Sequence, residues 1–151
     1  MTEVLNGPLE IGLRLLIILD EVDARSWTVD DVLVLDHMTI HSYDFSGPAS
    51  LHPAFPLRSA DVGARRAAVR QGLELLAHKG LVHIELAPTG IFFTSSEQAH
   101  SVAALLESNY AHAVRSRARW LSERLLDDDN FDLEAQIGKI VELWPEEADL
   151  T

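Results

Sequence analysis

"LVHIELAPTGIFFTSS", residues 81–96, breaks the rhythm of this 151-residue chain. Val82, Ile84 and Leu86 fall on one side of an extended segment, "APTG" supplies a turn, and "IFFTSS" runs back. Alternation in twos on either side of a Pro/Gly turn is the pattern of a two-stranded β-hairpin, here over 81–95.

What precedes the hairpin repeats at helical period. Pro8 opens a first helix after Asn6, since a proline in the first turn gives up a donor that has no partner there anyway. Glu10 is well placed for the helix dipole, and Leu9, Leu13, Leu16 and Ile17 make an apolar stripe. Thr28, with Asp31 three residues on, is a variant of the capping box and starts a second helix expected to reach about Tyr43. A third runs from about Ser59, with Val62, Val69, Leu73 and Leu76 on one face, and stops at Gly80. After the hairpin, Ser95 or Ser96 caps a long fourth helix to about Leu126, carrying Val102, Leu105, Leu106, Val114, Leu121 and Leu125. A short fifth over 131–144 puts Leu133, Ile137, Ile140, Val141 and Trp144 on one face.

Three helices followed at once by a hairpin is the order of a winged helix-turn-helix. The expected fold is mainly α with one β-hairpin: a winged helix-turn-helix-like domain over 1–126, then an acidic C-terminal helix and tail over 127–151. One part departs from that plan. The connection between helices two and three is a long Pro-rich loop of about fifteen residues, where a helix-turn-helix has a handful.

Composition narrows the chemistry. There is no cysteine, so disulfides and thiolate metal sites are excluded. The N-terminal "MTEVLNGPLE" has no basic run leading into an apolar one. The longest apolar run, Leu15 to Leu19, is far short of the roughly 20 residues of a membrane span. A cytoplasmic protein without membrane contact is the expectation. The net charge of −12 opposes general nucleic-acid binding. It is unevenly spread: residues 1–57 hold 2 basic and 9 acidic side chains, 58–80 hold 5 and 2, 81–126 hold 4 and 4, and 127–151 hold 1 and 9. The positive segment is the third helix, with Arg65, Arg66 and Arg70.

The loop, "HSYDFSGPASLHPAFPLRS" (41–59), carries the densest polar chemistry. His37 and His41 lie four apart on the second helix, with Asp44 and His52 beyond them, a set of N and O donors that a divalent metal accepts. A metal-dependent hydrolase on His37, His41, Asp44 and His52 is therefore one reading. It lacks the HExxH pattern, and neither a nucleophile elbow nor a phosphate-binding glycine loop is present. The plainer reading is structural. Pro48, Pro53 and Pro56 fix φ and remove donors, Ser50 and Ser59 can bond to nearby backbone, and Arg58 can pin the loop through a carboxylate such as Asp44. This plainer reading calls for no cofactor.

"NGPLEIGLRLLIIL", "HSYDFSGPASLHPAFPLRS", "QGLELLAHKGLV", "GIFFTSSEQA" and "YAHAVRSRARWLSE" together resemble the middle components of bacterial ABC three-component (ABC-3C) systems, over residues 6 to about 124. The most specific part is the string His41, Asp44, Gly47, Pro48, Ser50, Leu51, His52, Pro53, Pro56, Arg58 and Ser59. The resemblance implies a small non-catalytic adaptor of an SMC- or Rad50-like ABC ATPase, with an effector subunit as a further partner. Such systems are related to Lamassu-type defence against phage and plasmid DNA, and DNA would be met indirectly, through the complex. The alternative is a winged-helix transcription regulator, in which Arg65, Arg66 and Arg70 contact nucleic acid. The apolar face of the fifth helix, Leu133, Ile137, Val141 and Trp144, needs cover, either from a partner or from this domain.

Overall fold

The computed structural model describes residues 7–22, 25–52, 59–127 and 135–136. Pro53, Pro56 and Arg58 lie outside them, as does the expected fifth helix apart from 135–136, including Leu133, Ile137, Val141 and Trp144. The described chain is mainly helical with one antiparallel hairpin, as expected. The elements are α1 (Pro8–Glu21), α2 (Val29–Ile40), a 3-10 turn (Ser42–Phe45), α3 (Ser59–His78), β1 (Val82–Ala87), β2 (Gly90–Ser95), α4 (Ala99–Ala103) and α5 (Asn109–Asp127).

Local chemistry sets the boundaries. Pro8 occupies the first turn of α1. Thr28 Oγ1 accepts the Asp31 N–H at 3.1 Å while Asp31 Oδ2 accepts the Thr28 N–H at 3.0 Å, the full reciprocal capping box. Gly80 follows α3 at φ +76°, the left-handed position that suits a residue without Cβ.

Two helices differ from expectation. Ile11, Leu15, Leu16, Ile17, Ile18 and Leu19 of α1 are all buried, while Leu9 is 58% exposed. So the buried face of α1 is wider than the stripe through Leu9, Leu13, Leu16 and Ile17. The helix runs through the centre, packed on α3 and α5, as a helix apolar on most sides must. The long fourth helix is two: α4 ends at Ala103, and α5 begins at Asn109. Ser108 Oγ accepts the Ala111 N–H at 3.0 Å and restarts the helix. Arg115 Nη2 bonds the carbonyls of Ala103 at 2.9 Å and Leu106 at 3.2 Å, tying α5 to the end of α4 across the break. Leu105, expected on the apolar face, is 77% exposed.

The hairpin pairs Val82 with Ser95 and Leu86 with Ile91. Trp27, just before α2, extends it by one bridge: its N–H donates to Phe93 O at 2.9 Å and its carbonyl accepts the Phe93 N–H at 2.7 Å. Val82 and Phe93 are buried at the base, whereas Ile84, Leu86 and Ile91 stand exposed toward the tip. Among the described residues no helix is long and apolar enough to cross a membrane.

Candidate functional site

Two charges of opposite sign sit inside apolar runs, Arg14 in "IGLRLLIIL" and Asp36 in "VLVLDHM". A lone buried charge would be prohibitive, so each needs the other. The fold joins them. Arg14 Nε donates to Asp36 Oδ1 at 2.6 Å and Arg14 Nη2 to Asp36 Oδ2 at 2.9 Å, with the side chains 4% and 1% exposed. Arg65 Nη2 reaches the same Oδ2 from α3 at 3.1 Å. Burial works against both charges of the Arg14–Asp36 pair. Their mutual attraction outweighs it, holding the Asp36 carboxyl below its ordinary range and the guanidinium above its own.

From this pair a polar chain leads to the loop. Arg14 Nη1 donates to Tyr110 OH of α5 at 3.4 Å, and that hydroxyl meets His52 Nε2 at 2.7 Å. The His41 ring lies 6.4 Å from that of His52 and 4.8 Å from that of His37, centroid to centroid. The His37 ring in turn meets Phe45 edge-on at 5.9 Å. Burial first, then the neighbouring His41 and the Arg65 guanidinium, push His37 down to about 3. Burial and the Arg14 charge bring His52 to about 4. His41 is lowered as well, by burial and Arg65. All three imidazoles are neutral at physiological pH.

Those shifts fix a pH dependence. Below about 6.5 the unfolded chain protonates His37, whereas the folded chain resists until about 3. Stability is therefore full above the unfolded pKa and falls as pH drops through that window, by up to about 1.4 kcal/mol per pH unit for this residue. Thermal melts from pH 7 to pH 4.5 are expected to show a steep fall, with a shallower slope in His37→Gln. Equal slopes would rule out His37 as a source.

The first half of the loop is held by its own backbone and by α5. Ile40 O accepts the N–H groups of Leu51 at 2.9 Å and His52 at 3.1 Å, and Ser42 O accepts that of Gly47 at 3.0 Å. Ser42 Oγ donates to Pro48 O at 2.9 Å, and Ser50 Oγ accepts the Tyr43 N–H at 3.1 Å. From α5, Arg117 donates to Ala49 O at 3.0 and 2.8 Å, Arg124 donates to Phe45 O, and the Trp120 ring lies on Gly47.

Of the residues singled out in the sequence, His41, Gly47, Pro48, Ser50, Leu51 and His52 therefore join in one structure, while Asp44 is exposed on the 3-10 turn. Among the described residues no group of three or more His, Asp or Glu is arranged to hold a metal ion. The arginines of α3 each face a carboxylate: Arg65 Asp36, Arg66 Asp30 at 2.7 Å, and Arg70 Glu74 at 3.8 Å. Sequence reasoning passed over Arg14, Asp36, Tyr110, Arg117 and Trp120. The first two had a signal, a single charge in each of two apolar runs.

The family model described as ABC-three component (ABC-3C) system Middle Component 2 matches residues 4–147 of the chain. Comparison with curated proteins and with solved structures gives no match.

Proposed function

Since the chain belongs to the Middle Component 2 family of ABC-three component systems, we propose that it works as a non-catalytic adaptor of an SMC- or Rad50-like ABC ATPase. The complex is a bacterial one directed against phage and plasmid DNA, and DNA is met by the complex rather than by this subunit. The observation that carries the adaptor role is the inward use of polar groups. The guanidiniums of Arg14 and Arg65, the Asp36 carboxylate and the Tyr110–His52 pair bond one another across α1, α2, α3, α5 and the loop. The described part of the loop, residues 41–52, is held in one shape by the bonds of Ser42, Ser50 and Arg117.

Two further features favour protein contact over nucleic-acid contact. The hairpin, residues 82–95, contains no Lys or Arg and exposes Ile84, Leu86 and Ile91 at its tip, and the α3 arginines are neutralised by carboxylates. In this reading residues 1–126 are a winged-helix-like unit, supported by the Trp27–Phe93 bridge that ties the hairpin to the start of α2. The acidic 127–151 segment is an appendage that adds partner contacts through Leu133, Ile137, Val141 and Trp144.

Co-expression of the tagged full chain with the ABC ATPase encoded beside it tests the proposal. A stoichiometric complex that survives size-exclusion chromatography is the expected result. Two proteins that elute separately at micromolar concentration would refute it.

A further inference from the structure

Between the N-terminal half of α1 and the break separating α4 from α5 lies a cleft of about 240 Å³. Leu13 and Leu105 are among its apolar walls, Tyr110 and Arg14 contribute polar atoms, and Glu10 and Glu107 are its acidic groups. The hollow is smaller than the roughly 300–1,000 Å³ of small-molecule sites. It suits the anchor side chain of another protein, and Leu105, 77% exposed, extends the contact outward.

Charge says what kind of protein. Arg14 is matched by Asp36. Glu10 and Glu107 take no part in the ion pairs among the described residues. Among the described residues, the cleft is therefore apolar with an acidic lining that no cation pairs. A second copy of this chain, at net charge −12, is a poor occupant, and so is the chain's own 127–151 segment, with 9 acidic side chains against 1 basic. The tail would bring like charge to Glu10 and Glu107, and a second copy would approach against its own net negative charge.

We infer that the cleft receives a basic, amphipathic segment of the ATPase subunit, one apolar side chain entering between Leu13 and Leu105 and flanking Lys or Arg reaching Glu10 and Glu107. Apolar anchors in desolvated hollows concentrate binding energy, while charges at the edge set recognition and on-rate. Tyr110 belongs both to the cleft and to the bond with His52. An occupant thus rests directly on the group that holds the loop. The inference rests on the adaptor reading and names its contact surface.

The test measures binding of the full chain to the full-length ABC ATPase encoded with it, comparing wild type, the double variant Leu105→Asp with Glu107→Lys, and Lys79→Ala at the exposed end of α3, outside the cleft. The residues changed are exposed, so all three proteins should melt alike. The cleft variant is expected to bind at least tenfold more weakly and with a smaller loss of affinity on raising salt; the Lys79→Ala control should bind as wild type does. Unchanged binding by the cleft variant, beside a wild type that binds, overturns this inference and leaves the adaptor reading standing. A wild-type chain that does not bind the ATPase overturns both. A drop in the melt of the cleft variant would assign the cleft to the chain's own tail, and a wild-type dimer broken by it would assign the cleft to a second copy; either result refutes the basic partner.

Discussion

Asp36→Asn is expected to lower the melting temperature by about 6–20 °C. Asparagine keeps the shape of the side chain and removes its charge, leaving the Arg14 guanidinium buried at 4% exposure without a counterion and facing Arg65 across the same atoms. Removing one partner of a buried pair costs about 3–5 kcal/mol, because the surviving charge is stranded in a medium that solvates it poorly. For a chain of this length each kcal/mol moves the midpoint by roughly 2–4 °C. The loss should spread to the loop, since Arg14 also bonds Tyr110, which bonds His52. A control separates charge from volume: Asp36→Leu with Arg14→Met removes both charges and should recover much of what the single change loses, as apolar replacements of buried pairs commonly do. If the single variant melts within 2 °C of wild type, the pair is not what holds these helices together.

Gly47→Ala should destabilise by about 1–3 kcal/mol, the range for forcing a methyl into filled space. A Cβ at this position would lie 2.4 Å from Trp120 Cζ2, 2.6 Å from Cε2 and 2.8 Å from Cη2. The indole is a rigid plane and can yield only by moving as a whole away from the loop. Chemical denaturation of the four proteins in a double-mutant cycle is the check. Trp120→Ala should itself destabilise, but adding Gly47→Ala to it should lose less than a third of what it loses in wild type. Additive effects would mean that the glycine serves the backbone rather than the tryptophan.

Much of the architecture was legible because its signals are local. The Thr28/Asp31 capping box, Pro8 in the first turn, Gly80 after α3 and the alternation around Pro88-Thr89 each depend on residues a few positions apart. The break between α4 and α5 was not, because 99–127 contains neither proline nor glycine and reads as one run of helix formers. Its only mark is Ser108 before Asn109, without the acidic residue three further on that made Thr28 conspicuous. The central position of α1 was missed for a related reason: a stripe through Leu9 and Leu13 fits helical spacing, yet Ile11, Leu15 and Ile18 are equally apolar, and periodicity cannot choose when nearly every side qualifies. The loop was visible as a string of unusual residues. What it leans on was not, because Arg117, Trp120 and Tyr110 lie about 60 to 70 positions away and only the fold brings them near.

The central burial of α1 sets a timetable for synthesis. Its neighbours are α3 and α5, and α5 supplies Val114, Ala118 and Leu121 to the core only about 100 residues after α1 has been made. At about 5–20 residues per second, the ribosome leaves the run Leu15 to Leu19 without its final cover for on the order of 5–20 s. Local collapse takes well under a millisecond, so the apolar helix has ample time to meet the wrong surface before the right one exists. During that interval Arg14 lacks the Tyr110 hydroxyl and the unfinished chain lacks the arginines of α5 that fasten the loop. Until then α1 must rely on provisional contacts, and a chain that stops before residue 121 lacks part of the core that covers it.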